Sequence, residues 1–346
     1  ILMTEILYGN SKENLRKALS AQQNCRVAVI TDTNTVNHCL PLVEDALPDN
    51  YLRVTFSHGE ENKNLSSCEE VWDTLTEAKM DRNALVINLG GGVVTDLGGF
   101  CAATYKRGVR FINIPTTLLS QVDASVGGKL GVDFHGYKNH IGLFAEPEMV
   151  LIDPSFLITL PERELRSGFA EVIKHCLIAD ETQWKHLILN HYDKQDWSSI
   201  IPHSIGIKSD IVTKDFREGG LRKTLNFGHT IGHALESYYL NIPGKKLLHG
   251  EAIAIGVICE AWLSVEYNQM EKNQLIELQD YILDNFGKVK LDMNALDEVM
   301  DLMFQDKKNK GNTILFTLLN SIGSACWDVD LPQDAPVKAI GYYDNL

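Results

Sequence analysis

Ala84-Leu85-Val86-Ile87-Asn88-Leu89 runs directly into Gly90-Gly91-Gly92-Val93-Val94-Thr95-Asp96-Leu97-Gly98-Gly99. A short apolar run closed by glycines is the pattern of a strand buried on both faces. Consecutive glycines let backbone N–H groups come close to an anion, and the helical pattern that follows offers its N-terminus to negative charge. Strand, glycine turn and helix in that order predict a βα unit of a parallel sheet with a dinucleotide or phosphate at the turn. The strict G-x-G-x-x-G spacing is not met, because Thr95 stands where the third glycine would be, and a plain tight turn fits the same residues.

Outward from this stretch, β-rich runs recur at Arg26 to Thr31, Leu52 to Ser57, Ala84 to Leu89 and Val109 to Ile114, each followed by turn or helix-start residues. That alternation predicts a parallel α/β sheet. Asp32 ends the first run in the manner of an acidic residue that binds a ribose hydroxyl, and it equally suits a turn or helix cap. Pro115-Thr116-Thr117 places two hydroxyls at a strand's carboxyl end, where such sheets bind ligands. Asp123 and the Gly127-Gly128-Lys129 loop follow, a phosphate cradle or an ordinary turn, and Lys138-Asn139 adds a further cation. From Leu160 the texture changes to amphipathic stretches at Glu162 to Ile178, Ser198 to Lys214, Leu221 to Tyr239, Glu251 to Met270 and Asn273 to Phe286. The expected organisation is therefore a nucleotide-binding domain over residues 1–154 and a helical domain over 155–346, with the seam near Asp153-Pro154.

The formal net charge of −14 argues against nucleic acid or an anionic membrane as partner, since both reward a basic surface. Cys25, Cys39, Cys68, Cys101, Cys176, Cys259 and Cys326 are scattered without a CxxC, so neither a disulfide framework nor a cysteine zinc site is expected. Ile1-Leu2-Met3-Thr4-Glu5 lacks the layout of a signal peptide, and Met3 is a plausible initiator. A cytoplasmic enzyme is the expectation.

The chemistry concentrates in Arg222-Lys-Thr-Leu-Asn226-Phe-Gly-His229-Thr-Ile-Gly-His233-Ala-Leu-Glu236. On one continuous helix Arg222, Asn226, His229 and His233 would share roughly 60° of arc, a polar stripe of a guanidinium, an amide and two imidazoles. Surfaces favour Lys and Glu, whereas two histidines a turn apart are a common metal-binding arrangement. His249, at the entry to the next helical pattern, is a ligand or a cap. Glu171 and Lys174 stand at i and i+3 in an otherwise apolar helix, where they are costly unless paired or bound to something. Lys208, Glu218 and the Lys307-Lys308 pair complete the candidate charges, although lone lysines on helices are normally solvated.

Taken together, GGGVVTDLGGF (residues 90–100), YKRG (105–108), PTTLLSQVDASVGGK (115–129), KNHIG (138–142), GFAEVIKH (168–175), LRKTLNFGHTIGHALE (221–236) and LHGEAIAIG (248–256) resemble the 3-dehydroquinate synthase family. The resemblance implies a Rossmann-like N-terminal domain with a parallel sheet followed by an all-helical C-terminal domain. It also implies bound NAD+, a Zn2+ ion with Co2+ as a possible substitute, and a homodimer. Matched residue by residue, Glu171, His229 and His249 correspond to the metal ligands. His233 then belongs to the substrate side with Lys129, Lys174, Lys208, Arg222 and Asn226, joined by Asp123, Lys138, Asn139 and one of Lys307 and Lys308. Arg107 resembles the arginine that reaches the phosphate in the neighbouring subunit. Asp32, Asn34, Glu60, Lys63, Gly91, Gly92, Asp96, Thr116 and Thr117 match NAD-contacting positions, with Lys129 and Lys138 beside them. Thr95 and Gly98 stand where many members have Gly and Thr, and the region Asp133 to Tyr137 is longer.

The implied reaction converts 3-deoxy-D-arabino-heptulosonate 7-phosphate to 3-dehydroquinate and phosphate, in the shikimate pathway to aromatic amino acids. It proceeds by transient NAD-dependent oxidation, phosphate elimination, reduction and intramolecular aldol closure. Competing readings are a cyclase of the 2-deoxy-scyllo-inosose or valiolone type, a metal-dependent dehydrogenase of the glycerol dehydrogenase type, and a catalytically inert zinc-binding scaffold. The many cations suited to a phosphate and a carboxylate favour the heptulosonate phosphate.

Overall fold

A computed structural model describes residues 4–22, 25–135, 137–240, 242–304 and 313–346, in two compact units, Ile1–Pro161 and Glu162–Leu346. In the first, β1 (Glu5–Tyr8), β2 (Val27–Asp32), β3 (Leu52–Phe56), β4 (Leu85–Gly90) and β5 (Arg110–Pro115) pair in parallel. Between them and β8 (Met149–Ile152), β6 (Lys129–Phe134) and β7 (Tyr137–Phe144) form a separate antiparallel hairpin. The six-stranded order is β1-β8-β5-β4-β2-β3. Alternation along the strands explains their continuous apolar reading: Ala28, Ile30 and Val86 join Leu97 and Phe100 in one core. Val27, Val29, Ile87 and Leu89 join Leu15, Leu40 and Val43 in the other, so helices cover both faces.

The chain runs outward from β2 to β3 and then returns to build β4 on the other side of β2. This reversal makes the carboxyl ends of β2 and β4 a topological switch point, the place where open α/β sheets bind ligands. Asp32 ends β2 and Gly90 ends β4, and the Gly92–Thr104 helix follows at once. That helix lies against the sheet at Gly98, where a Cβ would fall 2.2 Å from Asn88 Oδ1. Asn88 is itself buried and donates from Nδ2 to Asn113 Oδ1 at 2.9 Å.

The second unit carries the expected helices at Glu162–Ala179, Trp197–Lys214, His229–Leu240, His249–Tyr267 and Lys272–Phe286. The His249–Tyr267 helix is buried nearly all round from Ala252 to Ala261, which makes it the core element of this unit. Two features differ from the sequence reading. The stretch Leu221 to Tyr239 is not one helix: a 3-10 segment, Leu221–Asn226, ends before Phe227, and Gly228 at φ 78 turns the chain before His229 opens the next helix. Arg222, Asn226, His229 and His233 therefore do not form a single helical stripe. The helical unit also includes an antiparallel hairpin of β9 (Leu315–Ser321) and β10 (Ser324–Asp330), which an all-helical domain leaves out.

Pro154–Thr159 forms a 3-10 turn between β8 and the second unit, with Asp153 accepting from the backbone N–H of Ser11 at 2.7 Å and of Ser155 at 2.9 Å. Among the described residues, no helix is long and apolar enough to cross a membrane.

Because Gly98 touches a hydrogen-bonded buried amide, Gly98→Ala is expected to destabilise the protein by about 1–3 kcal/mol. A urea midpoint that falls without a change in slope is the expected result; an unchanged midpoint would show that this contact is soft.

Candidate functional site

In the second unit Glu171 is 0% and Lys174 1% exposed on the Glu162–Ala179 helix. One face of the helix carries both, and the Lys174 ammonium sits on Glu171 Oε2. The other carboxylate oxygen, Oε1, lies 3.1 Å from His249 Nε2 and 3.4 Å from His229 Nε2. One ligand atom from each of these three residues lies within 4.8 Å of the other two. The imidazoles are held from behind, His229 Nδ1 3.0 Å from the Phe227 carbonyl and His249 Nδ1 3.3 Å from Glu236 Oε2. With Nδ1–H donating to those oxygens, a ring that has given up its other proton would turn its Nε2 lone pair to an ion held beside Glu171 Oε1. Two imidazole nitrogens and one carboxylate are the protein share of an open divalent-metal site.

The charges around this centre reinforce one another. Burial works to raise the pKa of Glu171, but Lys174 and His229 outweigh it and hold the carboxyl well below the ordinary glutamate value. Burial would lower the pKa of His249, yet Glu236 and Glu171 raise it to about 10. Without a metal, His249 is thus an imidazolium between two carboxylates.

His233, one turn after His229, has its ring 4.9 Å from that of His229 and 5.8 Å from that of His249. His233, Glu236 and His249 also satisfy metal-ligand distances. What singles out the first triad is Glu171 Oε1, which approaches Nε2 of both His229 and His249. Arg222 is 3% exposed and Lys208 6%. Arg222 donates from a guanidinium nitrogen to the Phe216 carbonyl at 2.6 Å, and Asn226 donates from Nδ2 to Glu218 Oε1 at 2.8 Å. Asp215 shapes this turn by accepting from the backbone N–H of Gly219, Gly220 and Arg222, bonds that hold its carboxyl below the usual range.

In the first unit the expected nucleotide residues gather in two places. At the carboxyl ends of β2, β4 and β5, Asp32 Oδ1 accepts from the backbone N–H of Asn34 at 2.9 Å and Thr35 at 2.7 Å. Close by in the fold, Gly91 and Gly92 open a helix, Thr116 N–H donates to the Gly90 carbonyl at 3.0 Å, and the Thr117 hydroxyl bonds that of Ser120 at 2.9 Å. The second group is charged. Lys63 Nζ lies 2.9 Å from Asp96 Oδ2 and 3.7 Å from Glu60 Oε1, and Lys138 Nζ 3.6 Å from the same Glu60 oxygen. Burial disfavours the Lys63 ammonium, but Asp96 and Glu60 outweigh burial and raise its pKa.

Asp123 lies in a π-helical turn, Ser120–Ala124, and Lys129 is exposed at the start of β6. Asn139, at φ 47, donates its backbone N–H to Asp133 Oδ1 at 2.7 Å. Lys106 and Arg107 have consecutive positive φ values of 49 and 70; Lys106 Nζ bonds the Met80 carbonyl at 2.7 Å while Arg107 is exposed. Lys307 and Lys308 lie outside the described residues. The sequence reading left two buried carboxylates without a role, Glu236 and Glu260. Glu260 had a signal: a carboxylate inside an apolar helix, the criterion that selects Glu171.

Comparison with known proteins shows the family and the fold. A family model described as 3-dehydroquinate synthase N-terminal matches residues 53–167, and one described as 3-dehydroquinate synthase C-terminal matches residues 168–309. The chain is 39% identical to a 3-dehydroquinate synthase of Parabacteroides distasonis, covering 96% of this chain and 95% of that one. It is 43% identical to one from Acetivibrio thermocellus, with coverage of 86% and 84%. Among solved structures, a 2-epi-5-epi-valiolone synthase from Streptomyces hygroscopicus with NAD+ and Zn2+ bound superposes with a TM-score of 0.88 at 24% identity, covering 100% of this chain and 98% of that one. A 2-deoxy-scyllo-inosose synthase complexed with carbaglucose-6-phosphate, NAD+ and Co2+ gives 0.83 at 23% identity, with coverage of 97% and 95%. These two likenesses establish the fold.

A divalent ion taken up by Glu171, His229 and His249 must displace the His249 proton. Binding near pH 7 is therefore expected to release about one proton, with affinity rising as pH rises toward 10. Calorimetric titration in buffers of different ionisation enthalpy reads this directly, and a heat independent of buffer would contradict it.

Proposed function

The chain belongs to the 3-dehydroquinate synthase family, and from that membership we infer that its reaction converts 3-deoxy-D-arabino-heptulosonate 7-phosphate to 3-dehydroquinate and phosphate. It acts as a phosphorus-oxygen lyase of the shikimate pathway, with NAD+ and with Zn2+, or Co2+ in its place. The observation that carries the reading is the convergence of Glu171, His229 and His249 in a unit that also buries Lys174, Lys208 and Arg222. Curated relatives named for this activity reach 44% identity, whereas three solved cyclases named for other products are 22–24% identical. That contrast favours the heptulosonate phosphate over glucose 6-phosphate or sedoheptulose 7-phosphate.

When bound, NAD+ would supply reversible hydride-transfer capacity for one substrate carbinol, and a divalent ion would supply Lewis acidity for its hydroxyl. Glu171, His229 and His249 hold the ion, and Lys174 keeps the Glu171 carboxylate ionised for that purpose. Asp32, Asn34, Gly91, Gly92, Thr116 and Thr117 at the strand ends, with Glu60, Lys63 and Asp96, hold the dinucleotide. Arg222 and Asn226 bind the substrate carboxylate through guanidinium and amide donors, a geometry an ammonium does not offer. Lys129, Lys138, Asn139, Asp123 and Lys208, with Lys307 or Lys308, position the remaining oxygens. His233, beside the ligand pair, moves protons to and from the substrate.

The enzyme is a cytoplasmic homodimer in this reading. The seven cysteines are all free, which suits a reducing compartment. Arg107, exposed on a segment with two successive left-handed residues, reaches the phosphate bound by the neighbouring subunit, and strain of that kind is retained where a side chain must be presented.

Incubation with Zn2+, NAD+ and the heptulosonate phosphate should release phosphate and 3-dehydroquinate in equal amounts. Turnover of glucose 6-phosphate or sedoheptulose 7-phosphate in its place would reject the assignment. His229→Ala should lose the metal, whereas His233→Ala should keep it and lose roughly a hundredfold or more in rate; equal metal loss from both would overturn the ligand choice. Arg107→Ala and His233→Ala should each be nearly inactive, yet randomly mixed dimers of the two should recover about one quarter of full activity. No recovery would mean that Arg107 serves its own subunit.

A further inference from the structure

Glu260 is 0% exposed, within the apolar part of the helix that begins at His249. A carboxylate there is costly to bury unless strong donors meet it. Two backbone N–H groups do so: Gly228 donates to Oε2 at 2.6 Å and Ile231 to Oε1 at 3.1 Å. These groups stand on either side of His229, at the N-terminus of the helix that it opens, where N–H groups lack intrahelical partners and negative charge is favoured. The approach is backbone to backbone, since a Cβ on Gly256 would fall 2.0 Å from the Gly228 carbonyl oxygen.

The helix that supplies His249 thus also grips the chain on both sides of His229. Glu171 Oε1 meets the two imidazoles at 3.1 and 3.4 Å, so a small rotation of the His229 helix start would move one donor out of the triad. We propose that Glu260 is a positioning residue for the metal centre: it fixes the backbone on both sides of His229 and so sets the direction from which that imidazole meets the ion. This inference rests on the reading of His229 as a ligand. A cap of purely structural importance would support folding while leaving the coordination geometry alone.

Glu260→Gln keeps the volume but replaces one accepting oxygen with a donor. The variant is expected to remain folded without metal by circular dichroism and to bind NAD+ within about twofold of the unaltered protein. Its Zn2+ affinity, measured by competition with a chromophoric chelator, should fall roughly ten- to hundredfold. The visible d–d bands of the Co2+-loaded protein should change in shape. Ile258→Ala, which opens a cavity in the same helix, should leave metal affinity unchanged. Unaltered Zn2+ affinity with an unaltered Co2+ spectrum in Glu260→Gln, or an equal affinity loss in Ile258→Ala, overturns the proposal. If Glu260→Gln does not fold, Glu260→Asp, which keeps the charge but shortens its reach, is read in the same way: weakened Zn2+ binding supports the role and wild-type binding removes it. His229→Ala separates the two ideas. Retention of metal there defeats the ligand assignment, while its loss there with normal binding in Glu260→Gln defeats only the positioning role.

Discussion

A carboxylate with no exposure to solvent has to be answered from every side, and Glu171 imposes that constraint on the second unit. Lys174, one turn along the same helix, answers one oxygen; His229 and His249 converge on the other. Three separate segments must therefore meet at one point, and much of the local architecture reads as the means of bringing them there. His229 and His249 are each the first residue of a helix, where the chain turns and a side chain can face sideways rather than out along the helix. The glycines at 228 and 256 remove the side chains that would hold the two helices apart.

The first unit solves a different problem. Its central strands β2, β4, β5 and β8 are paired on both sides and buried on both faces, so binding chemistry is confined to their carboxyl ends and to the loops beyond. The reversal of strand order between β2 and β4 opens those ends. Asp32, Gly91 and Thr116 reach the same edge from three different strands. Glu60, Lys63, Asp96 and Lys138 form an alternating chain of charges in which each ammonium is near a carboxylate, a way of keeping lysines charged beneath a surface.

Much of this was legible in the sequence because the signals were local. Strand, glycine turn and helix follow one another at 84–99, and period-two alternation accounts for the buried faces. A charged pair in an apolar helix marked Glu171 and Lys174. Where the reading fell short, the deciding contact was distant. The break at Gly228 depends on Gly256 and Val257 pressing against it, which no periodicity over 221–239 reveals. The β6–β7 and β9–β10 hairpins pair mainly with themselves, and their polar and exposed positions, such as Asp328 and Trp327, blur alternation. Spacing alone paired His229 with His233; resemblance supplied His249, and the position of Glu171 Oε1 gives that choice a geometric reason. Glu260 carried the same mark as Glu171, a carboxylate in an apolar helix, but its partners, the backbone amides of Gly228 and Ile231, are set by tertiary packing and leave no local pattern.

The placement of both ligand histidines at helix beginnings also determines the electric field at the centre. Each helix start carries roughly half a positive charge, and two such ends near one point make poor company for a cation. Glu251 accepts from the Leu248 N–H at 2.8 Å and Glu260 from those of Gly228 and Ile231, so each end carries its own local anion. The positive poles are quenched within bonding distance, so the Glu171 and Glu236 carboxylates have Lys174 and the imidazoles to answer. A region that would otherwise repel a metal becomes receptive to one by local neutralisation at both helix starts.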